Sequence, residues 1–221
     1  MGSTSPICLI TGAARGLGRE LAEVASSSGA AVIAMGRPHP GVRSLLFEGE
    51  ADIRSSEAVA DFMEELPVDR IDILINNAGV FPDPDVGLAD LSLEAVVDTL
   101  DVNAVGALRV TRACLPYLLR SPYPRILNIS SGMGSMSYAP RQGSYGYRMS
   151  KAALNMLTSA LATEFPQFKV LSIHPGHVRT EMGGPRATVD SSASAAGIWE
   201  LARTPPAEGR FFDYQGQALA W

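Results

Sequence analysis

Short apolar runs closed off by small or polar residues recur along the whole chain, and longer amphipathic stretches separate them. Ile7-Cys8-Leu9-Ile10 is short, β-branched and wholly apolar, the pattern of a buried strand. It runs into the turn Thr11-Gly12-Ala13-Ala14-Arg15-Gly16-Leu17-Gly18, and helical spacing begins at residue 19 and lasts to 28. The alternation then repeats. Strands are predicted over 30–35, 44–47, 71–75, 125–129 and 170–173, with a last one at 209–212. Helices are predicted from Ser55 to about Leu66, from Ser92 to Leu119 as one long element, and over 150–161. Residues 186–196 are rich in small side chains and are expected to be mobile, with a helical pattern resuming at 198–203.

Strands that alternate with helices, joined by right-handed crossovers, imply a parallel sheet covered by helices on both faces. No internal repeat or linker divides the chain, and 221 residues suit one α/β domain. In such a sheet the residues that follow each strand meet along one edge, where ligands bind. That edge collects Gly12, Asn77, Ser131 and Gly176 with their neighbours.

Composition narrows the function more than the fold. A net charge of -5 leaves no basic footprint for nucleic acid or an acidic membrane. No apolar run approaches the ~20 residues of a membrane span, and residues 1–6 lack the pattern of a signal peptide. A cytoplasmic protein is expected. Cys8 and Cys114 lie inside apolar runs and read as buried thiols.

The chemistry centres on Tyr147 and Lys151, four residues apart and so on one face of a helix. The chain has 16 arginines but only two lysines, Lys151 and Lys169, so the choice of lysine at this position is informative. A lysine is a compact, rotatable donor that relays protons, whereas arginine is a fixed fork that stays charged. A phenol beside an ammonium is an acid/base device, and the cation is expected to lower the tyrosine pKa. Tyr145 lacks such a partner, because Met149 stands four residues on.

Glycines 12, 16 and 18, between a strand and a helix, let the backbone approach a pyrophosphate at a helix start. Their spacing, Gly-x-x-x-Gly-x-Gly, differs from the commonest dinucleotide fingerprint. No Asp or Glu closes the second strand to hold a ribose 2′-hydroxyl; the nearest acid downstream is Glu48. Arg37 stands there instead and Arg15 lies in the phosphate turn, which favours NADP over NAD. Asp52 and Ile53, after the third strand, are expected beside the adenine. His174 and His177 flank a Pro-Gly turn with no third ligand at usable spacing. His174 reads as a satisfied strand-end residue and His177 as lining the substrate entrance.

Together these residues resemble the short-chain dehydrogenase/reductase family. Thr11-Gly12-x-x-x-Gly16-x-Gly18, Asn76-Asn77-Ala78-Gly79, Ser131, Tyr147-x-x-x-Lys151 and Pro175-Gly176-x-Val178-x-Thr180 occur in that family's order across nearly the whole chain. Residues 176–185 and 209–213 are similar to its C-factor and sniffer-like carbonyl reductase branch. The resemblance implies a Rossmann-type doubly wound sheet and an NADP(H)-dependent oxidoreductase acting on a ketone or aldehyde. It implies Tyr147 as proton donor, Ser131 on the carbonyl oxygen, and Lys151 tuning the phenol and holding the nicotinamide ribose. Asn103 would hold a water of a proton relay and Thr180 the carboxamide. Gly12, Arg15, Gly16, Leu17, Gly18, Asn77, Ala78, Gly79, Pro175, Gly176 and Val178 would line the cofactor cleft. The substrate loop would span about 182–196, with an adaptable wall from Met133, Met136, Tyr138 and Met182. A homodimer or homotetramer would form through the long helix and the Tyr147 helix, with Cys114 and Leu118 in the contact. The C-factor likeness also implies an alternative, a dinucleotide-binding signalling protein with incidental turnover.

Overall fold

The computed structural model describes residues 5–36, 42, 45–82, 85–138 and 143–221. Arg37 and His39 lie outside the described residues. Seven strands, β1 (Ile7–Thr11), β2 (Ala31–Met35), β3 (Leu45–Gly49), β4 (Ile73–Asn76), β5 (Arg125–Ile129), β6 (Lys169–His174) and β7 (Phe211–Asp213), form one sheet in the order β3-β2-β1-β4-β5-β6-β7. Every neighbouring pair is parallel. The chain starts in the middle, winds out to β3, then crosses back beyond β1 to β4. The point of reversal lies between β1 and β4, where a crevice opens at the carboxyl ends of the strands.

Among the described residues six α-helices flank the sheet: α1 (Gly16–Ser27), α2 (Ser56–Glu64), α3 (Leu93–Leu100), α4 (Ala107–Leu118), α5 (Tyr145–Glu164) and α6 (Ser191–Arg203). One apolar cluster joins α1 and α6 to the sheet through Leu21, Ala25, Ile198 and Trp199. The other joins α2, α4 and α5 to the opposite face through Phe62, Val110, Leu118 and Leu161. Both faces of each central strand are thus buried, which accounts for their continuous rather than alternating hydrophobicity.

The expected single helix over 92–119 is three pieces. Between α3 and α4 the chain widens into a π-helical turn, Asp101–Gly106. Its cause is local. Gly106 lies so close to Ile53 that a Cβ there would meet its Cδ1 at 2.7 Å, and Asn103 turns its amide inward to distant partners. Such turns inside helices occur mostly at functional sites.

Residues 191–196, expected to be mobile, form the first half of α6. Their small side chains serve close packing: Ser194 and Ala195 are fully buried, and the Ser194 hydroxyl donates to the Pro175 carbonyl at 2.7 Å.

A polar chain runs through the interior on the α4/α5 side. The Asn76 amide donates to Thr111 Oγ1 and Asn128 Oδ1, the Asn128 amide donates to Thr158 Oγ1, and Thr158 shares a hydrogen bond with Ser172. It ties β4, β5 and β6 to both helices in one register, because a slip would leave buried amides unpaired.

Residues 217–221 fold back as a strap over β7. Leu219 donates to Phe211, the Trp221 ring stacks on Phe211 at 5.3 Å, and the Trp221 and Ala220 backbone oxygens accept from Ser137 and Ser135. The strap pins the loop that follows β5 from its outer side.

Candidate active site

The loop after β5 begins at Ser130 and Ser131, and adjacent positions send their side chains to opposite faces. Ser130 turns toward α5 and donates to Asn155 Oδ1 at 2.6 Å. Asn155 in turn donates to the Gly134 carbonyl. Ser131 faces the other way: its hydroxyl accepts from Met133 N at 3.1 Å, and it lies on the side of the Tyr147 phenol, whose acidity it raises. Gly134 lets the short helical turn of residues 132–134 lie directly on α5, since a Cβ would approach the Lys151 backbone to 2.7 Å.

The chain enters α5 through Gly143 and Ser144, both in the left-handed region, with Ser144 buried. A non-glycine residue held there is a strained start that the surroundings must enforce. It brings Tyr147 and Lys151 onto the inner face of the helix. Lys151 is only 4 % exposed, and its Nζ donates to the Ile129 carbonyl at 2.8 Å. The amine lies 5.5 Å from the centroid of the Tyr147 ring. None of the ion pairs among the described residues involves it.

Burial pushes the Lys151 amine down to about 8. It pushes the Tyr147 phenol up to about 12, with the Ser131 hydroxyl pulling the other way. The expectation that lysine lowers the tyrosine is therefore not met here. The amine sits over the ring rather than against the hydroxyl, and desolvation of the phenolate outweighs it. At neutral pH Tyr147 keeps its proton, the state a proton donor needs.

Asn103 joins two segments. Its Nδ2 donates to the Val80 carbonyl and to Ser150 Oγ, both at 2.9 Å, and its Oδ1 accepts from Val80 N at 2.8 Å. Ser150 passes the contact on to the Tyr147 carbonyl. Both amide donors are spent on protein partners, so the side chain bolts the turn after β4 to α5. Gly79 sits between them, its missing Cβ 3.1 Å from Asn103 Oδ1 and 3.6 Å from Lys151 Nζ.

Across the crevice, Gly12 and Gly16 adopt positive φ, and α1 starts at Arg15 with no side-chain cap and no acid in its first turn. Bare N–H groups at a helix start suit a phosphate. Gly18 meets the Asn77 amide, a Cβ there falling 2.4 Å from its Nδ2. Asn77 also donates to the Thr11 carbonyl, while Thr11 Oγ1 accepts from Asn77 N and Ala78 N. These bonds hold β1 and β4 together at the switch point.

Thr180 overhangs the turn, its Cγ2 3.3 Å from where a Gly16 Cβ would be. Next to it Glu181 pairs with Arg15 over the mouth, both side chains being exposed. Val178 is buried and bridges to Val189, and Gly176 packs against Val189 and Tyr214. Leu17 sits partly buried against the α1/α6 cluster.

Asp52 pairs with Arg54 at 2.6 Å, an ion pair that holds its carboxyl below the usual range. Ile53 is buried under Gly106. Two other expectations need correction. Cys114 and Leu118 are fully enclosed within the chain, so neither reaches a partner subunit. His177 Nε2 bonds to the Gly183 carbonyl, whereas the buried Nδ1 of His174 has no hydrogen-bond partner among the described residues.

Phe81 escaped the sequence reading. Its ring stacks on Tyr147 with centroids 4.2 Å apart and planes at 26°. An aromatic residue two places beyond Gly79 was the available signal, but stacking across 66 positions follows from no local pattern.

The match to short chain dehydrogenase spans residues 6–190, and the chain belongs to that family. It is 42% identical over 155 residues to C-signal of Myxococcus xanthus, covering 68% of this chain and 93% of that protein. Among solved structures, the carbonyl reductase Sniffer of D. melanogaster superimposes with a TM-score of 0.89 at 28% identity, covering 99% of this chain and 100% of that one. A short-chain dehydrogenase/reductase from Burkholderia multivorans with bound NADP gives 0.87 at 28% identity, with the same coverage.

A lysine whose folded pKa lies near 8, below its ordinary 10.5, binds fewer protons than the unfolded chain between those values. Stability is therefore expected to rise with pH through that window. Lys151→Met removes the buried charge at the cost of one hydrogen bond, and should melt a few degrees higher than the wild type at pH 7, about 1–2 kcal/mol more stable. The advantage should shrink toward pH 10, and calorimetric melting curves across that range check it.

Proposed function

We propose that this short-chain dehydrogenase is an NADP(H)-dependent oxidoreductase that reduces a ketone or aldehyde, or oxidises the matching alcohol. The observation that carries the reading is the buried Lys151 amine, held by the Ile129 carbonyl, 5.5 Å from the ring of a Tyr147 phenol that keeps its proton, with Ser131 on the same side. A carbonyl oxygen seated between the two hydroxyls takes a hydrogen bond from Ser131 and the proton from Tyr147. Bound NADPH supplies the hydride to the carbonyl carbon. Lys151 spends one donor on Ile129 and offers the others to the ribose and to the relay that returns a proton to Tyr147. Preformed donors aimed at the oxygen stabilise charge as it develops and need no reorganisation.

The uncapped start of α1, with glycines 12, 16 and 18, fits the pyrophosphate. Thr180 overhangs the same turn, in the role of holding the carboxamide. NADP preference rests on Arg15, exposed beside the phosphate turn, and on the lack of an acid closing β2. Its pairing with Glu181 is a surface contact of small net worth, so a 2′-phosphate displaces it readily. The NADP bound to the Burkholderia multivorans relative agrees with this choice.

The likeness to C-signal favours a second reading, in which the chain binds the dinucleotide as a signalling protein and turns over incidentally. NADPH binding without oxidation across a broad carbonyl panel would select it.

Self-association is proposed through the outer faces of α3, α4 and α5. Leu93, Val97, Leu108, Met149 and Met156 stand there with 45–70 % of their surface exposed. An apolar face of this kind marks an association surface.

Tyr147→Phe is expected to bind NADPH as the wild type does while losing about 10²–10⁴ in kcat; steady-state kinetics with fluorescence titration separate the two. Arg15→Ala should weaken NADPH about tenfold in the same titration and leave NADH nearly unchanged. Light scattering should report a dimer or tetramer for the wild type, and Leu108→Lys with Met156→Lys should give a monomer that keeps the wild-type fold by circular dichroism.

A further inference from the structure

We infer that Phe81 is a positioning residue for the Tyr147 phenol: its ring backs the phenol and fixes the plane in which the hydroxyl points. The inference rests on the acid role proposed for Tyr147, and it assigns a function to a contact that role does not require.

The geometry is built from both ends. Val80, the residue before Phe81, has its N–H and its carbonyl tied to the same Asn103 amide. The backbone that carries the Phe81 ring is therefore held at two points one residue away. The same amide reaches Ser150, whose hydroxyl donates to the Tyr147 carbonyl at 2.8 Å. One side chain in the π-helical turn thus sets both partners of the stack, and the rings meet at 4.2 Å with a tilt of 26°. The Lys151 amine, 5.5 Å from the phenol centroid, takes up a further side. The phenol is thus flanked by an aromatic ring on one side and an amine on another.

Two physical consequences follow. A stacked ring fixes the plane of the phenol, and hydroxyl placement within a fraction of an ångström is what proton transfer needs. The ring also keeps water from one face of the phenol, which adds to the desolvation that holds its pKa up. Apolar filling alone would do the second and not the first. Leucine fills a similar space without a flat face, whereas tyrosine keeps the face, so the two substitutions separate positioning from filling.

The test is Phe81→Leu beside Phe81→Tyr, each with kcat, NADPH affinity and the pH profile of kcat. Phe81→Leu is expected to lose about tenfold in kcat with NADPH affinity unchanged. Its alkaline fall in reductive activity should begin at lower pH than in the wild type, because a wetter phenol gives up its proton sooner. Phe81→Tyr should restore the rate to within about twofold. Proton NMR of tyrosine-labelled protein, with Tyr147 assigned through Tyr147→Phe, gives a readout that needs no turnover. The Tyr147 ring signals should carry a ring-current shift in the wild type and in Phe81→Tyr and lose it in Phe81→Leu. A Phe81→Leu protein equal to the wild type in kcat and pH profile would overturn the inference. So would one in which NADPH affinity and melting temperature fall along with kcat. If wild type and Tyr147→Phe reduce carbonyls equally well, the oxidoreductase reading fails, and the ring-current shifts still report whether Phe81 orders the phenol.

Discussion

A lysine amine buried against one backbone carbonyl, with no carboxylate among the described residues to answer it, is the constraint that the rest of the site accommodates. Isolation from water makes its charged form costly, and the same isolation makes the neighbouring phenol a reluctant acid. Each group is moved toward neutrality. Such displacements are characteristic of sites that transfer protons, where a tuned acidity is worth more than local stability. Keeping the amine dry demands close packing around Lys151. Gly134 lets the turn after β5 lie against the Lys151 backbone where a side chain would push it off, and Gly79 keeps room beside the Asn103 amide.

The sheet provides the fixed frame for this arrangement. With all seven strands parallel, the residues after β1, β4, β5 and β6 converge on a single edge. The buried chain from Asn76 through Asn128 to Thr158 and Ser172 locks the strands beneath the active residues in one register. The crevice proposed for the dinucleotide lies at the switch between β1 and β4, with the tyrosine helix on its far side. Loops complete the remaining wall. The one after β5 is held on the inside by α5 and on the outside by the strap at residues 220–221.

Much of this was legible in the chain. Continuous apolar runs gave away a sheet buried on both faces, because parallel strands lack the solvent-facing side that would make them alternate. Glycine spacing and the rare lysine pointed to both halves of the candidate site, since a close backbone approach and a compact amine each call for one residue type. Boundaries were close where a run was strongly apolar, as at β5, and wrong where packing decided them. The break in the helix at Asp101–Gly106 depends on Ile53 and Val80, which are distant in sequence, so no local propensity announces it. The small residues at 191–196 look like loop until α1 is present to receive them.

Residue types and their order along the chain determined the class of fold, the family and the identity of the chemical groups. How those groups behave was decided by the folded surroundings. Whether the tyrosine is acidified by the lysine or restrained by burial depends on where the amine lies, over the ring and not at the hydroxyl. The turning of Ser130 inward and Ser131 outward, and the seating of Phe81 on the phenol, belong to the same category. Distances between side chains separated by tens of residues are products of packing, and acidity and orientation are set by those distances.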